Sequence, residues 1–256
     1  MKKIMFVGTA GAGKTTLTAA FQNWMHDNGH DAITLNLDPG AEKLPYQPDV
    51  DIRDWVKLDE VVKEYSLGPN GAQIAAADML ALNMEKVLEP VEKIDSDYLL
   101  VDTPGQLELF AYRQSGNVVL QKLGMDETVI AFVTDPSICK TPSGFVSSAL
   151  LFASVNFRFD VPALNVLTKT DTITEEELQN IIGWSTSEDR LYDDLMESDI
   201  RSAKPLSLEI FRALRDVGAY SELIAVSSED YSGMGDIYTM AQGIFQGGED
   251  LDRRLA

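Results

Sequence analysis

Cysteine and histidine are almost missing from this chain. Cys139 stands alone, so no internal disulfide can form, and with only His26 and His30 there is no Cys/His set at zinc-binding spacing. Both absences suit a reducing interior, and the cytoplasm is the expected location. Basic residues are scarce as well: 21 lysines and arginines stand against 41 acids, a formal net charge of −20. Such a charge repels nucleic-acid backbones and anionic lipid, so neither is expected as a direct partner. A phosphate site has to be built locally, from backbone amides, a few placed cations and a metal ion, with Mg2+ expected. Long apolar runs are missing too. No stretch approaches the ~20 residues needed to cross a bilayer, and the short run in MKKIMFVGTAG ends in glycines before it could act as a secretory leader.

What is present is enough for a substantial core. With 256 residues, 45% of them hydrophobic, the chain can form one large domain or one domain with an insertion. Short apolar runs recur: KIMFV at 3–7, DAITLNL at 31–37, YLLV at 98–101, TVIAFV at 128–133, VPALNVL at 161–167, and residues 223–226. Runs that are apolar at nearly every position are expected of strands covered on both faces. Between them lie segments of helical period, among them 14–28 (stopped by Gly29), 58–65 and 72–94. This alternation predicts an α/β fold, a three-layer sandwich around a mostly parallel sheet, with ligands at the carboxyl ends of the strands. The charged stretch at about 174–217 lacks a strand signal and is expected to be a helical insertion. The last ten residues, GGEDLDRRLA, are expected to fray. SLGPNG at 66–71 has the composition of a turn between two helices.

The chemistry is carried by residues at strand ends. GTAGAGKT at 8–15 matches G-x-x-x-x-G-K-[ST] and lies between a strand and a helix, as that pattern requires. Gly11, Ala12 and Gly13 turn their amides toward phosphates, Lys14 reaches the β and γ groups, and the Thr15 hydroxyl meets Mg2+. Asp102, at the end of YLLV, is placed to hold the metal through water; Gly105 offers its amide to a γ-phosphate, and the Gln106 carboxamide can orient an attacking water. Asp38-Pro39-Gly40 ends another strand, where a carboxylate can accept from water or order the metal's shell, although Asp-Pro-Gly is also an ordinary turn. After the 161–167 strand, Asp171 of TKTD can accept from guanine N1–H and its exocyclic amine, whereas adenine N1 would set a lone pair against it. Leaving a buried polar group so unpaired costs about 1–3 kcal/mol. The Lys169 stem lies along the base in this reading, and Ser227 and Ser228 flank its other side. K-x-D is also common in plain loops.

In that order, GTAGAGKTT, LDPG (37–40), LGPNG (67–71), DTPGQLELF (102–110), TKTD (168–171) and VSS (226–228) resemble the GPN-loop GTPases, a P-loop family of archaea and eukaryotes. The resemblance covers most of the chain and implies one GPN-loop P-loop GTPase domain over 1–256, with its helical insertion at about 174–217. It implies a homodimer in which Gly68-Pro69-Asn70 reaches across to the partner's site, with Asn70 near the γ-phosphate. It also raises Asp38 and Gln106 to water-positioning residues and makes Thr16 a phosphate contact. One position departs from the family: Thr168 stands where an Asn usually begins the base motif, which removes a side-chain amide that braces P-loop and base. The apolar segment 143–159 has the character of a core helix, while the resemblance makes it part of a hydrophobic pocket for a protein client.

Together these readings predict an enzyme that binds GTP with Mg2+ and slowly hydrolyses it to GDP and phosphate. The alternative is a nucleotide-gated assembly factor whose output is client binding. A small-molecule kinase is disfavoured, because Arg53, Arg113, Arg158, Arg190 and Arg201 are too scattered to form a lid.

Overall fold

The computed structural model describes residues 1–65, 68–197 and 204–254. Seven strands form one sheet, β1 (Lys2–Gly8), β2 (Ala32–Asn36), β3 (Val50–Asp51), β4 (Tyr98–Asp102), β5 (Thr128–Thr134), β6 (Ala163–Leu167) and β7 (Leu223–Ala225). All of its pairings are parallel, in the order β3-β2-β4-β1-β5-β6-β7. The apolar runs explain why. In β1, Ile4 and Phe6 pack on one face while Met5 and Val7 pack on the other, so each pleat direction meets a core. Only a sheet sandwiched by helices satisfies that pattern. β3 supplies just two residues and β7 three, and these are the sheet's two edges.

The helices are α1 (Lys14–Asp27), α2 (Leu58–Tyr65), α3 (Pro69–Glu92), α4 (Leu107–Ala111), α5 (Gln114–Leu123), α6 (Pro136–Cys139), α7 (Pro142–Phe159), α8 (Glu175–Thr186), α9 (Glu188–Glu197), α10 (Lys204–Asp216) and α11 (Met234–Arg254). α1 and α11 cover one face through Leu17, Phe21, Met25 and Ile237. α3, α5 and α7 cover the other through Leu80, Met84, Leu120 and Phe152. α8, α9 and α10 contribute Ile181, Trp184, Leu191, Leu195 and Phe211 to a third cluster, which closes on Leu167 and Leu223 at the β6–β7 end.

Three details differ from the expectations. α3 starts at Pro69, three residues before the periodic stretch, because proline is well suited to a first helical turn that needs no amide hydrogen there; Ser66 and Leu67 lie outside the described residues. The expected frayed tail is instead helical through Arg254. α7 buries Phe145, Phe152, Val155 and Phe159, as a core helix should, yet leaves Leu150 and Phe157 exposed.

The anchoring of α1 can be tested. Phe21 is fully buried, edge-on to Phe6 at 6.1 Å and stacked on Trp24 at 5.9 Å. Phe21→Ala is expected to lower stability by about 3–5 kcal/mol, measured by urea denaturation followed by circular dichroism. A loss of about 1 kcal/mol or less would mean that α1 is held elsewhere.

Candidate functional site

The site follows the carboxyl edge of the sheet, where the chain leaves β1, β2, β4, β6 and β7. At the end of β1, a Cβ on Gly8 would lie 2.2 Å from the Val133 carbonyl oxygen, so only glycine lets β1 keep its register with β5 into the turn. Gly13, at φ +91°, precedes α1 in the left-handed conformation that L side chains avoid. No side chain caps α1 there, and its first turn carries no acid. The first amides of that helix therefore remain available to an anion. α8 shows the contrast: its start is closed by a capping box between Thr174 and Glu177.

Lys14 is buried and donates to the carbonyls of Gly8 (2.9 Å), Thr9 (3.0 Å) and Gly105 (3.4 Å). Burial pulls its ammonium below the ordinary lysine value, and Asp102 and Asp38 only partly offset this. Asp102 is also buried. Burial pushes its carboxyl up to about 6, against the opposing pull of Thr15, Lys14 and Tyr46. Its Oδ2 accepts from the Tyr46 hydroxyl at 3.2 Å, while Oδ1 is buried with no hydrogen-bond partner among the described residues.

A carboxylate oxygen in that position calls for a donor or a cation. Among the described residues, no cluster of three or more Asp, Glu, His or Cys could cage a metal. A cation beside Asp102 and the Thr15 hydroxyl would complete its shell with water and substrate phosphates, which is the habit of Mg2+. The residues present fit that ion.

Asp38 is held by its neighbours. Its amide donates to Asn36 Oδ1 at 3.0 Å, and its own Oδ1 and Oδ2 accept from the Gly40 (2.9 Å) and Gly105 (3.3 Å) amides. Buried Asn36 donates to Asp51 Oδ1 at 2.9 Å, and Arg53 grips Asp51, its Nη2 2.6 Å from Oδ2. Burial works to raise the Asp51 carboxyl, but the hydrogen bonds from Arg53 and Asn36 outweigh it and hold the group below the ordinary value. Arg53 Nη1 also donates to the Ala41 carbonyl at 2.8 Å, so the segment bearing Asp38 is tied down on both sides.

At the end of β6, buried Thr168 places its hydroxyl 2.6 Å from the Ala12 carbonyl oxygen and 3.1 Å from that of Thr134. The brace expected to be missing with the Asn is thus partly restored: a threonine hydroxyl still ties the base loop to the P-loop. Lys169 is left-handed, and its Nζ donates to the Gly11 carbonyl (2.6 Å) and to Asp135 Oδ2 (2.7 Å), stretching its stem past Gly13. Ser227 is buried and donates to Asp171 Oδ1 at 2.9 Å, which orients that carboxylate.

Three adjoining cavities result. Gly11, Gly13, Lys14, Thr15, Thr16, Asp38, Gly105 and Lys169 line the central one. A second shares Gly13, Thr16 and Lys169 with it and adds Thr168, Asp171 and Ser228. A third shares Asp38 and Gly105 and adds Gln106, Gln73, Ala76 and Leu109. Asp102 lies beneath the central cavity, beside Lys14 and Thr15. Ala12 is buried and takes part through its carbonyl, and Ser227 acts from behind Asp171. Asn70 is the second residue of α3, three positions before Gln73 in sequence, and its side chain lies outside what the structure describes.

The sequence pattern did not reveal Asn36, Tyr46, Asp51 or Arg53. Their contacts depend on the register of β2 with β3, which sets Asn36 beside Asp51, and no local spacing signals that pairing.

A family described as "Conserved hypothetical ATP binding protein" matches residues 6–247. A GPN-loop GTPase of Pyrococcus abyssi is 36% identical over 179 residues, 68% of this chain and 69% of that protein. The chain belongs to the GPN-loop GTPase family. GPN-loop GTPase 1 of Dictyostelium discoideum is 31% identical over 238 residues, 92% of this chain, and the present chain spans only 59% of that relative's length. A crystal structure titled as a GTPase in apo form from Pyrococcus abyssi superimposes with a TM-score of 0.85 at 28% identity, over 95% of this chain and 97% of that one. The all-parallel sheet and P-loop of this GPN-loop family member accordingly have a solved counterpart at nearly full length.

The threonine brace predicts a measurable cost. Thr168→Val keeps the shape but leaves the Ala12 carbonyl without its donor. Stability to urea is expected to fall by about 1–3 kcal/mol. An unchanged denaturation midpoint would show that the contact is dispensable.

Proposed function

We propose that this chain binds GTP with Mg2+ and slowly hydrolyses it to GDP and phosphate. The observation that carries this reading is the junction of the central and base-side cavities, where the open amides of α1, Lys14 and Asp171 face one elongated ligand space. Triphosphate in the first and guanine in the second fits their chemistry, with Gly11 to Thr16 and the Gly105 amide on the phosphates and Lys169, Ser228 and Asp171 around the base. Ser227 occupies Asp171 Oδ1, and Oδ2 is the oxygen left for the guanine edge. This favours guanine even though the matching family is described as ATP binding.

Hydrolysis in this reading is in-line attack of water on the γ-phosphate, with the protein supplying position and charge. Mg2+, held through Thr15 and Asp102, would supply charge neutralisation on the phosphate oxygens. Lys14 leaves its carbonyl contacts for the β and γ groups. Asp38 and Gln106, which line one cavity with Gly105, orient the water. The Gly105 amide exchanges Asp38 Oδ2 for a γ-phosphate oxygen, which frees that carboxylate to accept from water. Asn70 acts from a second copy of the chain, in a homodimer.

A further reading is favoured by Leu150 and Phe157, the latter 91% exposed on α7: nucleotide state governs capture of a hydrophobic protein client at 143–159, with hydrolysis as its reset. Among the described residues no helix is long and apolar enough to cross a membrane, and the cytoplasm is the compartment proposed.

Calorimetric titration with GTP and ATP tests the nucleotide assignment. GTP is expected to bind at least ~10-fold more tightly, and Asp171→Asn to erase most of that margin. Equal affinities in the unaltered protein would overturn it. The role of Asn70 is tested separately: Asn70→Ala is expected to leave GTP affinity nearly intact while turnover drops about 10²-fold. Parallel losses in both, or a monomer by analytical ultracentrifugation at the assay concentration, would refute action across an interface.

A further inference from the structure

The segment between β2 and β3 does more than carry Asp38. It is pinned at Ala41 by Arg53 and at Asp49, whose Oδ2 accepts from the Thr34 amide (2.8 Å) and hydroxyl (3.0 Å). Tyr46 lies between these anchors, partly buried, and extends its hydroxyl to Asp102 Oδ2. Asp102 closes β4 directly beside Asn36 in the sheet register, so the tyrosine spans from an anchored loop to the end of a central strand. The two oxygens of Asp102 are thereby made unequal. Oδ2 has a phenol donor and Oδ1 has none among the described residues, although both belong to a carboxylate with no measurable exposure.

We infer that Tyr46 is a positioning residue for the magnesium site: by donating to Oδ2 it fixes the rotation of the Asp102 carboxylate and presents Oδ1 to the metal's hydration shell. A carboxylate turns easily about its last torsion, which is broad rather than staggered. A donor on one oxygen fixes which lone pairs face the cation; Tyr46 supplies it on Oδ2, and the Thr15 hydroxyl pulls on the same carboxylate. Hydrogen-bond donors of this kind orient metal-side carboxylates generally, and their loss typically weakens metal binding 10- to 100-fold. At 3.2 Å the contact is long for O–H···O, so the lower end of that range applies. Because Tyr46 and Asp38 share one anchored segment, the residue that orders the metal side and the residue that orders water are set by the same struts.

The inference rests on the proposed role of Asp102, and the test separates the two. In the full-length chain, Tyr46→Phe removes only the hydroxyl. Binding of a fluorescent, non-hydrolysable GTP analogue is titrated with Mg2+, and again in excess EDTA. For Tyr46→Phe, the Mg2+ concentration at half-effect is expected to rise about 10-fold. Affinity in EDTA is expected to stay as in the unaltered chain, while the melting midpoint of the nucleotide-free protein drops by a few degrees because a buried carboxylate loses its donor. An equal loss of affinity in EDTA would overturn the inference, since a general structural role acts without metal. Asp102→Asn serves as the control. If it shifts the Mg2+ dependence and Tyr46→Phe does not, Tyr46 has no positioning role. If neither variant shifts it, the assignment of Asp102 to the metal falls, and the role of Tyr46 falls with it.

Discussion

The proposed function sets one electrostatic constraint on this site: an acidic protein, with a formal charge of −20, would have to admit a polyanion. Its surface field opposes the ligand, so attraction has to come from short-range groups that cost nothing in net charge. The uncapped start of α1 meets that need, because amide dipoles count as partial positive charge without adding a cation. Lys14 is the one full charge inside the loop, and burial weakens its hold on the proton. Asp38 and Asp102 stand close by, and on their own they would repel phosphate. In the proposed function a divalent cation would reconcile these parts, since it would turn a neighbouring carboxylate from an obstacle into a ligand.

The second theme is rigidity supplied from the side. Asp38, Asp102 and Asp171 each have a neighbour that fixes their posture: Asn36 for the backbone of the first, Tyr46 for the second, Ser227 for the third. Thr168 and Lys169 link the base loop to the P-loop through the carbonyls of Ala12 and Gly11. Displacing one of these loops is therefore felt at the other. That coupling runs through hydrogen bonds to backbone, which constrain position more strictly than packing does.

Much of this was visible in the chain itself. The strands announced themselves because two buried faces leave room for almost no polar residue, as in TVIAFV. The P-loop, DTPG and TKTD stood out because each combines a strand end with residues of special backbone or charge. The two-residue β3 is too short for any periodicity, and with it went Asn36, Asp51, Arg53 and Tyr46, which meet across β2 and β3 or, for Tyr46, at the end of β4. Proline at 69 reads as a turn former, although the same fixed φ also opens helices, and α3 begins on it. The threonine at 168 was counted as a loss because spacing reveals residue type but not reach; its hydroxyl finds the Ala12 carbonyl across 156 positions of chain.

The two border strands have a final consequence. Unpaired strand backbone is a template on which another chain can zip, and proteins curb it by keeping outer strands brief. Here β3 offers two residues and β7 three, too little for a lasting ladder. Growth of the sheet from one molecule into the next is closed off on both sides. A protein partner finds little strand edge to extend here and meets mainly side chains, whose shape rather than main-chain hydrogen bonding decides the match.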